Sequence, residues 1–380
     1  MKSARRAVGL AHLWLGLLFG SVFVVLGLTG SAIAWMDELD RALNPTLLRS
    51  AGHALGPPPL EAQDVLERLA RDPRYARDGK YGKYGKPSSL VLPAQAGDVY
   101  IAWFGQRQVM LDPGTKAVLG ERDWDQAALS RLHLMPTLFH LHRYLVAGEA
   151  GKIVVGVAGL VLVLVALSGL VLWWPALTLA ALWKAVTVRH GGSWPRFAFS
   201  LHRAGGFFAA PVLLVLGFSG AYFNLPESIA PVIRLAGPVT PPFKAPGAGP
   251  TAVSIVAPAQ ALALAQAAFP EARLSRLGLP GARGHAYEVR LRQPSELRHG
   301  DGATRLTIDA TDGRVLQVRD PLRAAGGDRL ISWLFPLHSG EAFGLAGRVV
   351  ITCFGMAPLV FFITGIYLWS RRRGKRKQHR

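Results

Sequence analysis

Long apolar stretches without a charged side chain occur at four places in this chain: Ala7–Met36, Ile153–Trp183, Ala204–Pro226 and Val349–Ser370. Each exceeds the roughly 20 residues a helix needs to cross a ~30 Å hydrocarbon layer, so each predicts a transmembrane helix. Pro175 and Pro226 are expected to end the second and third, because proline removes a backbone donor. Two long polar segments separate spans one and two, and spans three and four. In the first, Leu60–Ala70 has helical periodicity, Val99–Phe104 and Gln108–Leu111 read as strands, and an Asp112-Pro-Gly-Thr turn leads into Ala117-Val-Leu. In the second, after a Pro/Gly-rich linker at Gly237–Pro250, Pro258–Phe269 reads as a helix. His285–Arg292 and Thr304–Ile308 then read as strands, with Asp312-Gly313 turning into Arg314-Val-Leu. The patterns predict an all-α four-helix transmembrane bundle with two small α+β domains, each one helix on a short antiparallel sheet.

The predicted divisions place transmembrane helices at 1–36, 136–183, 201–226 and 337–370. The α+β domains occupy 37–135 and 227–336, with a short loop at 184–200 and a basic tail at 371–380.

Charge orients this arrangement. The chain has 43 Lys and Arg against 24 Asp and Glu, a net charge of +19. Spread evenly, that excess would suit a nucleic-acid partner, but every acid lies within Asp37–Glu149 or Glu227–Glu341. The N-terminus (Lys2, Arg5, Arg6), the loop with Lys184, Arg189 and Arg196, and the tail from Arg371 are basic and hold no acid. Lys and Arg gathered in short loops beside helix ends are the positive-inside signature. Both termini and the short loop are therefore expected in the cytoplasm, both α+β domains outside, and membrane lipid rather than nucleic acid against the basic tail. Ala32-Ile33-Ala34 resembles a signal-peptide cleavage site, but the apolar run is about twice a typical signal core. The lone Cys353 excludes disulfides and cysteine-ligated iron–sulfur clusters.

An internal repeat links the spans. His12 is followed by Gly27, Thr29 and Gly30; His202 is followed at the same offsets by Gly217, Ser219 and Gly220. His142 is followed by Gly151, Lys152, Ser168, Gly169 and Trp173; His338 is followed, again without a gap, by Gly347, Arg348, Thr364, Gly365 and Trp369. Apolar composition alone would not hold a histidine, a basic residue, a hydroxyl–glycine pair and a tryptophan in one register, so the pattern reads as a tandem duplication. The glycines and hydroxyls suit close helix contact or the approach of a flat cofactor.

Four of the eleven histidines occupy these matched positions. In the expected orientation His12 and His202 lie near the cytoplasmic face, and His142 and His338 near the outer face. Ionisable groups in spans mark function, and metal or haem ligation, proton relay and structural hydrogen bonding are all open. Zinc would usually add Cys, Asp or Glu ligands; the spans hold no acid, which also weakens a proton pump. Bis-histidine ligation of haem b, one haem per pair, fits these residue types best. His140 is an alternative or additional outer ligand. Arg143, Arg203, Lys152 and Arg348 are candidates to pair with haem propionates, with lipid phosphate the competing partner. On a straight helix, however, His142 and His338 would stand about 15 Å above Lys152 and Arg348. His133 lies near the outer face, and His53, His190, His285, His299 and His379 make no case for ligation.

The histidine motifs resemble those of the PepSY-associated transmembrane family of bacterial inner-membrane proteins. The matching stretches are Ala11–Gly16, Leu141–Gly151, Leu201–Gly206, Leu337–Arg348 and Thr364–Arg372, and together they touch all four spans. The resemblance implies PepSY-like domains in the periplasm, haem in the bundle and a link to iron acquisition, since the family includes iron-regulated membrane proteins and ferric-siderophore reductases. A reductase of this kind would pass electrons to a ferric siderophore or other ferric chelate. With no Rossmann fingerprint in the chain, its donor would be a quinol, a reductase protein or a diffusible reductant. Two other functions compete: a non-enzymatic PepSY regulator of the protease-inhibitor type, and a transport accessory protein for iron uptake. The Tyr81-Gly-Lys-Tyr-Gly-Lys loop is basic and aromatic and could meet an anionic chelate, though a solvated loop is the simpler reading.

Overall fold

The structure, a computed structural model, describes residues 2–50, 58–75, 86–241, 243, 255–281 and 284–378. The first half runs α1 (Lys2–Ile33), α2 (Met36–Leu43), α3 (Pro45–Leu48), α4 (Pro58–Arg71), β1 (Ser89–Val91), β2 (Tyr100–Phe104), β3 (Arg107–Leu111), β4 (Val118–Asp123), α5 (Leu134–Tyr144) and α6 (Gly148–Trp173). After α7 (Leu179–Val186), the second half runs α8 (Trp194–Asn224), α9 (Pro226–Ile233), α10 (Pro258–Ala268), β5 (Arg273–Gly278), β6 (Ala286–Arg292), β7 (Thr304–Asp309), β8 (Val315–Arg319), α11 (Gly326–Ser339), α12 (Gly344–Gly355) and α13 (Ala357–Gln378). The order of long helix, short helix, four strands, short helix and long helix thus appears twice. The elements assort into a helical unit and a sheet unit.

The helical unit holds four helices long and apolar enough to cross a membrane: Ser3–Ile33, Gly148–Trp173, Trp194–Asn224 and Glu341–Arg371. α6 ends just before Pro175 and α8 just before Pro226, as proline requires. α1 packs on α6 and α13, and α8 on α6 and α13, which closes the four spans into a ring. Close crossings fall at matched glycines. A Cβ on Gly27 would lie 2.1 Å from the carbonyl oxygen of Gly355, and one on Gly159 2.7 Å from that of Gly217.

In the sheet unit the two α+β segments do not stand apart as the two domains read from sequence. Their strands form one antiparallel sheet of order β4-β3-β2-β1-β5-β6-β7-β8. Each segment is a four-strand meander, and the meanders join through their first strands, with Leu90 opposite Leu277. One core serves both: α4 (Ala62, Val65, Leu69) and α10 (Ala261, Leu262, Ala265) lie on the same face, over Leu90, Leu277, Val289 and Leu306. The joining strands are the two that periodicity misses. β1 is three residues long, and a register shift between Leu274 and Arg276 buries both Leu274 and Ser275, so β5 loses its alternation.

On the other face of the first meander, α3 lays Leu47 and Leu48 over Met110 and Ile101. Beside them a buried ion pair ties α2 to β4. Arg122 meets Asp40 at 2.7 Å, with side-chain exposures of 3% and 6%, and also bonds Gln108. Removing one partner of such a pair leaves an uncompensated buried charge, which costs about 3–5 kcal/mol. Asp40→Ala is therefore expected to lower the thermal midpoint of the sheet unit's near-UV circular dichroism in the full chain, and an unchanged midpoint would show that the pair contributes nothing.

Candidate functional site

The position of the outer histidines depends on two helix breaks. A straight helix across 136–183 does not form: α5 stops at Tyr144, and Leu145, Val146 and Gly148 adopt φ of 50°, 54° and 56°. In the second half α11 stops at Ser339, with φ of 82° at Gly340 and 58° at Gly344. Left-handed residues end an α-helix by turning its last carbonyls out of register. For β-branched Val146 that conformation is strained. The breaks remove the 15 Å difficulty. His142 precedes the first break and lies level with Leu26 and Thr29 of α1 rather than a straight helical rise above Lys152.

All four repeat histidines are half-buried and anchored in the same way. His12 Nδ1 meets Ser168 Oγ at 3.0 Å and the Val165 carbonyl at 3.2 Å. His142 Nδ1 meets the Leu26 carbonyl at 2.9 Å and Thr29 Oγ1 at 3.3 Å. His202 Nδ1 meets Thr364 Oγ1 at 2.9 Å, and His338 Nδ1 meets Ser219 Oγ at 2.7 Å. Within each half the bonds are reciprocal, because each of the two spans holds the other's histidine.

The hydroxyls also fix the tautomer. Ser168, Thr29, Thr364 and Ser219 each donate to a carbonyl three or four residues back. With that proton committed, each hydroxyl can only accept from Nδ1–H. Every ring therefore keeps its lone pair on Nε2, and among the described residues no group bonds to that nitrogen. The glycine after each hydroxyl gives the ring room. A Cβ at Gly30 would lie 2.9 Å from His142 Cε1, at Gly169 3.3 Å from His12 Cε1, and at Gly220 and Gly365 3.8 Å from His338 and His202.

The histidines pair between halves. The rings of His12 and His202 are 6.3 Å apart and 82° from coplanar. Those of His142 and His338 are 6.2 Å apart at 67°. Phe361 stands edge-on to His202, and Phe223 to His338. Two imidazoles bound through Nε2 on opposite sides of one metal, with bonds of about 2.0 Å, have centroids about 6.2 Å apart, whereas a tetrahedral angle brings them to about 5 Å. The observed centroid spacings match the separation that one metal held between the two rings would need. Among the described residues no cluster of three His, Cys, Asp or Glu forms that could complete a protein-only metal site. The donor set suits a macrocycle that brings its own equatorial ligands.

The other candidates named from sequence make contacts of their own in this structure. His140 stacks on Tyr144 and is not the residue opposite His338. Arg143 donates to the Phe223 carbonyl at 2.9 Å and Arg348 to that of Ala34 at 2.7 Å, each at the carbonyl end of a span where a cation is favourable. Arg203 donates to the Lys184 carbonyl, and Lys152 pairs with Glu149 at 3.1 Å. His133 is buried in the sheet unit beside Ser130. His53, His379 and most of the Tyr81–Lys86 loop fall outside the described residues. Sequence reasoning did not name Thr29, Ser168, Ser219 and Thr364 as site residues. Their signal was present, since each hydroxyl–glycine pair keeps a fixed offset from a histidine.

A family model described as the PepSY-associated TM region matches residues 10–372. No curated protein matches the chain.

The matched glycines are not equivalent in tolerance. Gly30→Ala puts a methyl inside contact distance of the His142 ring, and is expected to destabilise the detergent-solubilised chain by about 1–3 kcal/mol. Gly220→Ala meets His338 at ordinary contact and is expected to change stability by less than about 1 kcal/mol. Comparing the two unfolding midpoints checks this; equal losses would contradict the cradle geometry.

Proposed function

Because the chain belongs to the PepSY-associated transmembrane family, we propose that this membrane protein binds two b-type haems and passes electrons across a bacterial inner membrane to a ferric chelate in the periplasm. The observation that carries this reading is the pairing of four Nδ1-anchored imidazoles at 6.2–6.3 Å. Haem bound at both pairs supplies reversible one-electron transfer between Fe(III) and Fe(II). His12 with His202 would hold one haem, and His142 with His338 the other, each through Nε2. Ser168, Thr364, Thr29 and Ser219 hold each ring in the Nδ1–H tautomer and raise the basicity of Nε2, as outer-shell acceptors do. Phe361 and Phe223 flank the pairs with apolar surface that excludes water.

The two pairs lie at opposite ends of the bundle. His12 and Thr29, which marks the level of His142, are 17 residues apart on α1, about 25 Å along the axis. With haem held at both pairs, an electron supplied at the His12–His202 end by a quinol or a reductase protein would reach a ferric chelate at the His142–His338 end, whose Fe(III) would become Fe(II), which the chelator holds less tightly. The segregation of Lys and Arg supports cytoplasmic termini and a periplasmic sheet unit.

Protein purified from haem-replete cells is expected to show a Soret band, split α/β bands on dithionite reduction and two haems per chain. His12→Ala combined with His202→Ala should leave one haem, as should His142→Ala with His338→Ala. Combining His12→Ala with His338→Ala should remove both. Colourless protein, or haem content indifferent to all four substitutions, would refute the assignment.

A further inference from the structure

The sheet face opposite α4 and α10 differs between the two meanders. Across β1–β4 the directly opposed residues are Val91, Ile101, Met110 and Gly120, partly covered by α3. The same row continues across β5–β8 as Arg276, Arg290, Arg305 and Arg319. Four strands about 4.8 Å apart make this arginine row about 14 Å long. Like charges directly opposed on neighbouring strands are destabilising, so the row calls for an explanation that the apolar half does not need.

The protein's own acids balance only part of it. Asp301 pairs with Arg276 at 2.8 Å and reaches Arg290 at 4.0 Å, and Glu288 lies 3.1 Å from Arg290. Arg319 donates to the Pro241 carbonyl. Arg305, between Arg290 and Arg319, has no ion-pair partner among the described residues. Burial first, and then the like charge of Arg290, push its guanidinium down to about 10.

Unmet donors accompany the row. The Nε–H groups of Arg276 and Arg292 and the indole N–H of Trp103 are buried without an acceptor. Trp103 and Arg276 line a cavity of about 340 Å³ whose four arginines are matched by four aspartates, Asp301 among them, so the surplus of guanidinium lies in the row, and beside it Arg273 is directly opposed to Arg292. Buried donors left unpaired are costly and rare. Donors in surplus, mostly guanidinium, ask for an acceptor-rich anion, and the guanidinium fork matches carboxylate bidentately.

We propose that the arginine row, centred on Arg290 and Arg305, binds a soluble anion carrying several carboxylates, of the metal–polycarboxylate class. Identifying that anion as the ferric chelate to be reduced rests on the function proposed above; the anion site itself does not. Arg276 and Arg290 are only 29% and 22% exposed, which favours a compact ligand entering the row over a flat layer of lipid headgroups.

Isothermal titration of the full chain in neutral-lipid nanodiscs with gallium(III) citrate, which does not accept the electron, tests the site. The wild type is expected to bind. Arg305→Gln should weaken binding about tenfold, as loss of one charge-assisted pair implies, and Arg314→Gln, exposed and outside the row, should not. Without ligand, Arg305→Gln should melt no lower than wild type, since it relieves repulsion. No wild-type binding, an unchanged affinity in Arg305→Gln, or binding that appears only when anionic lipid is added to the discs would overturn the proposal. Gallium citrate binding by chain that comes colourless from haem-replete cells would leave this proposal standing and count against the electron-transfer reading alone.

Discussion

The hydrogen bond from an imidazole Nδ1–H to a hydroxyl on the next span is the constraint on which the bundle depends. It occurs four times, each with the hydroxyl proton committed to its own helix. In the first half α1 holds the histidine of α5, and α6 holds that of α1; in the second half α8 holds the histidine of α11, and α13 holds that of α8. Each half is thereby clamped at both ends and presents one imidazole at each. Two such halves facing one another give two pairs of rings. The helix breaks belong to the same arrangement, because without left-handed backbone near Leu145 and Gly340 the outer histidines would not reach the hydroxyls of Thr29 and Ser219.

The sheet unit shows what two copies of one pattern can do differently. The meanders share a topology and a core, yet the row facing away from that core is aliphatic in one and arginine in the other. The apolar half is partly covered by Leu47 and Leu48, whereas the arginine half carries the unmet Nε–H groups of Arg276 and Arg292. In the bundle the matched positions of the two halves make equivalent histidine–hydroxyl bonds; in the sheet the rows facing away from the core differ.

Much of this was legible in the residues. The spans, the proline stops, the helices over α4 and α10 and the strands β2, β3, β6 and β7 follow from hydrophobic period and turn chemistry, and the division into two histidine pairs follows from the repeat. The join between the meanders was not legible, because β1 is too short to show alternation and the irregularity in β5 hides it. The helix break after Tyr144 was not legible either, because Leu145 and Val146 carry no turn signal although both adopt positive φ. The contacts of the basic residues Arg143, Arg203, Lys152 and Arg348 with carbonyls and with Glu149 were not legible, because they depend on side-chain direction.

The pairing of imidazoles across the halves is tested most directly by electron paramagnetic resonance of the oxidised, haem-loaded chain at liquid-helium temperature. Ring planes crossed at 82° and 67° predict two low-spin ferric signals of the strongly anisotropic kind that steeply crossed axial imidazoles produce. A dominant high-spin ferric signal, or only the ordinary rhombic spectrum of parallel imidazoles, would contradict it.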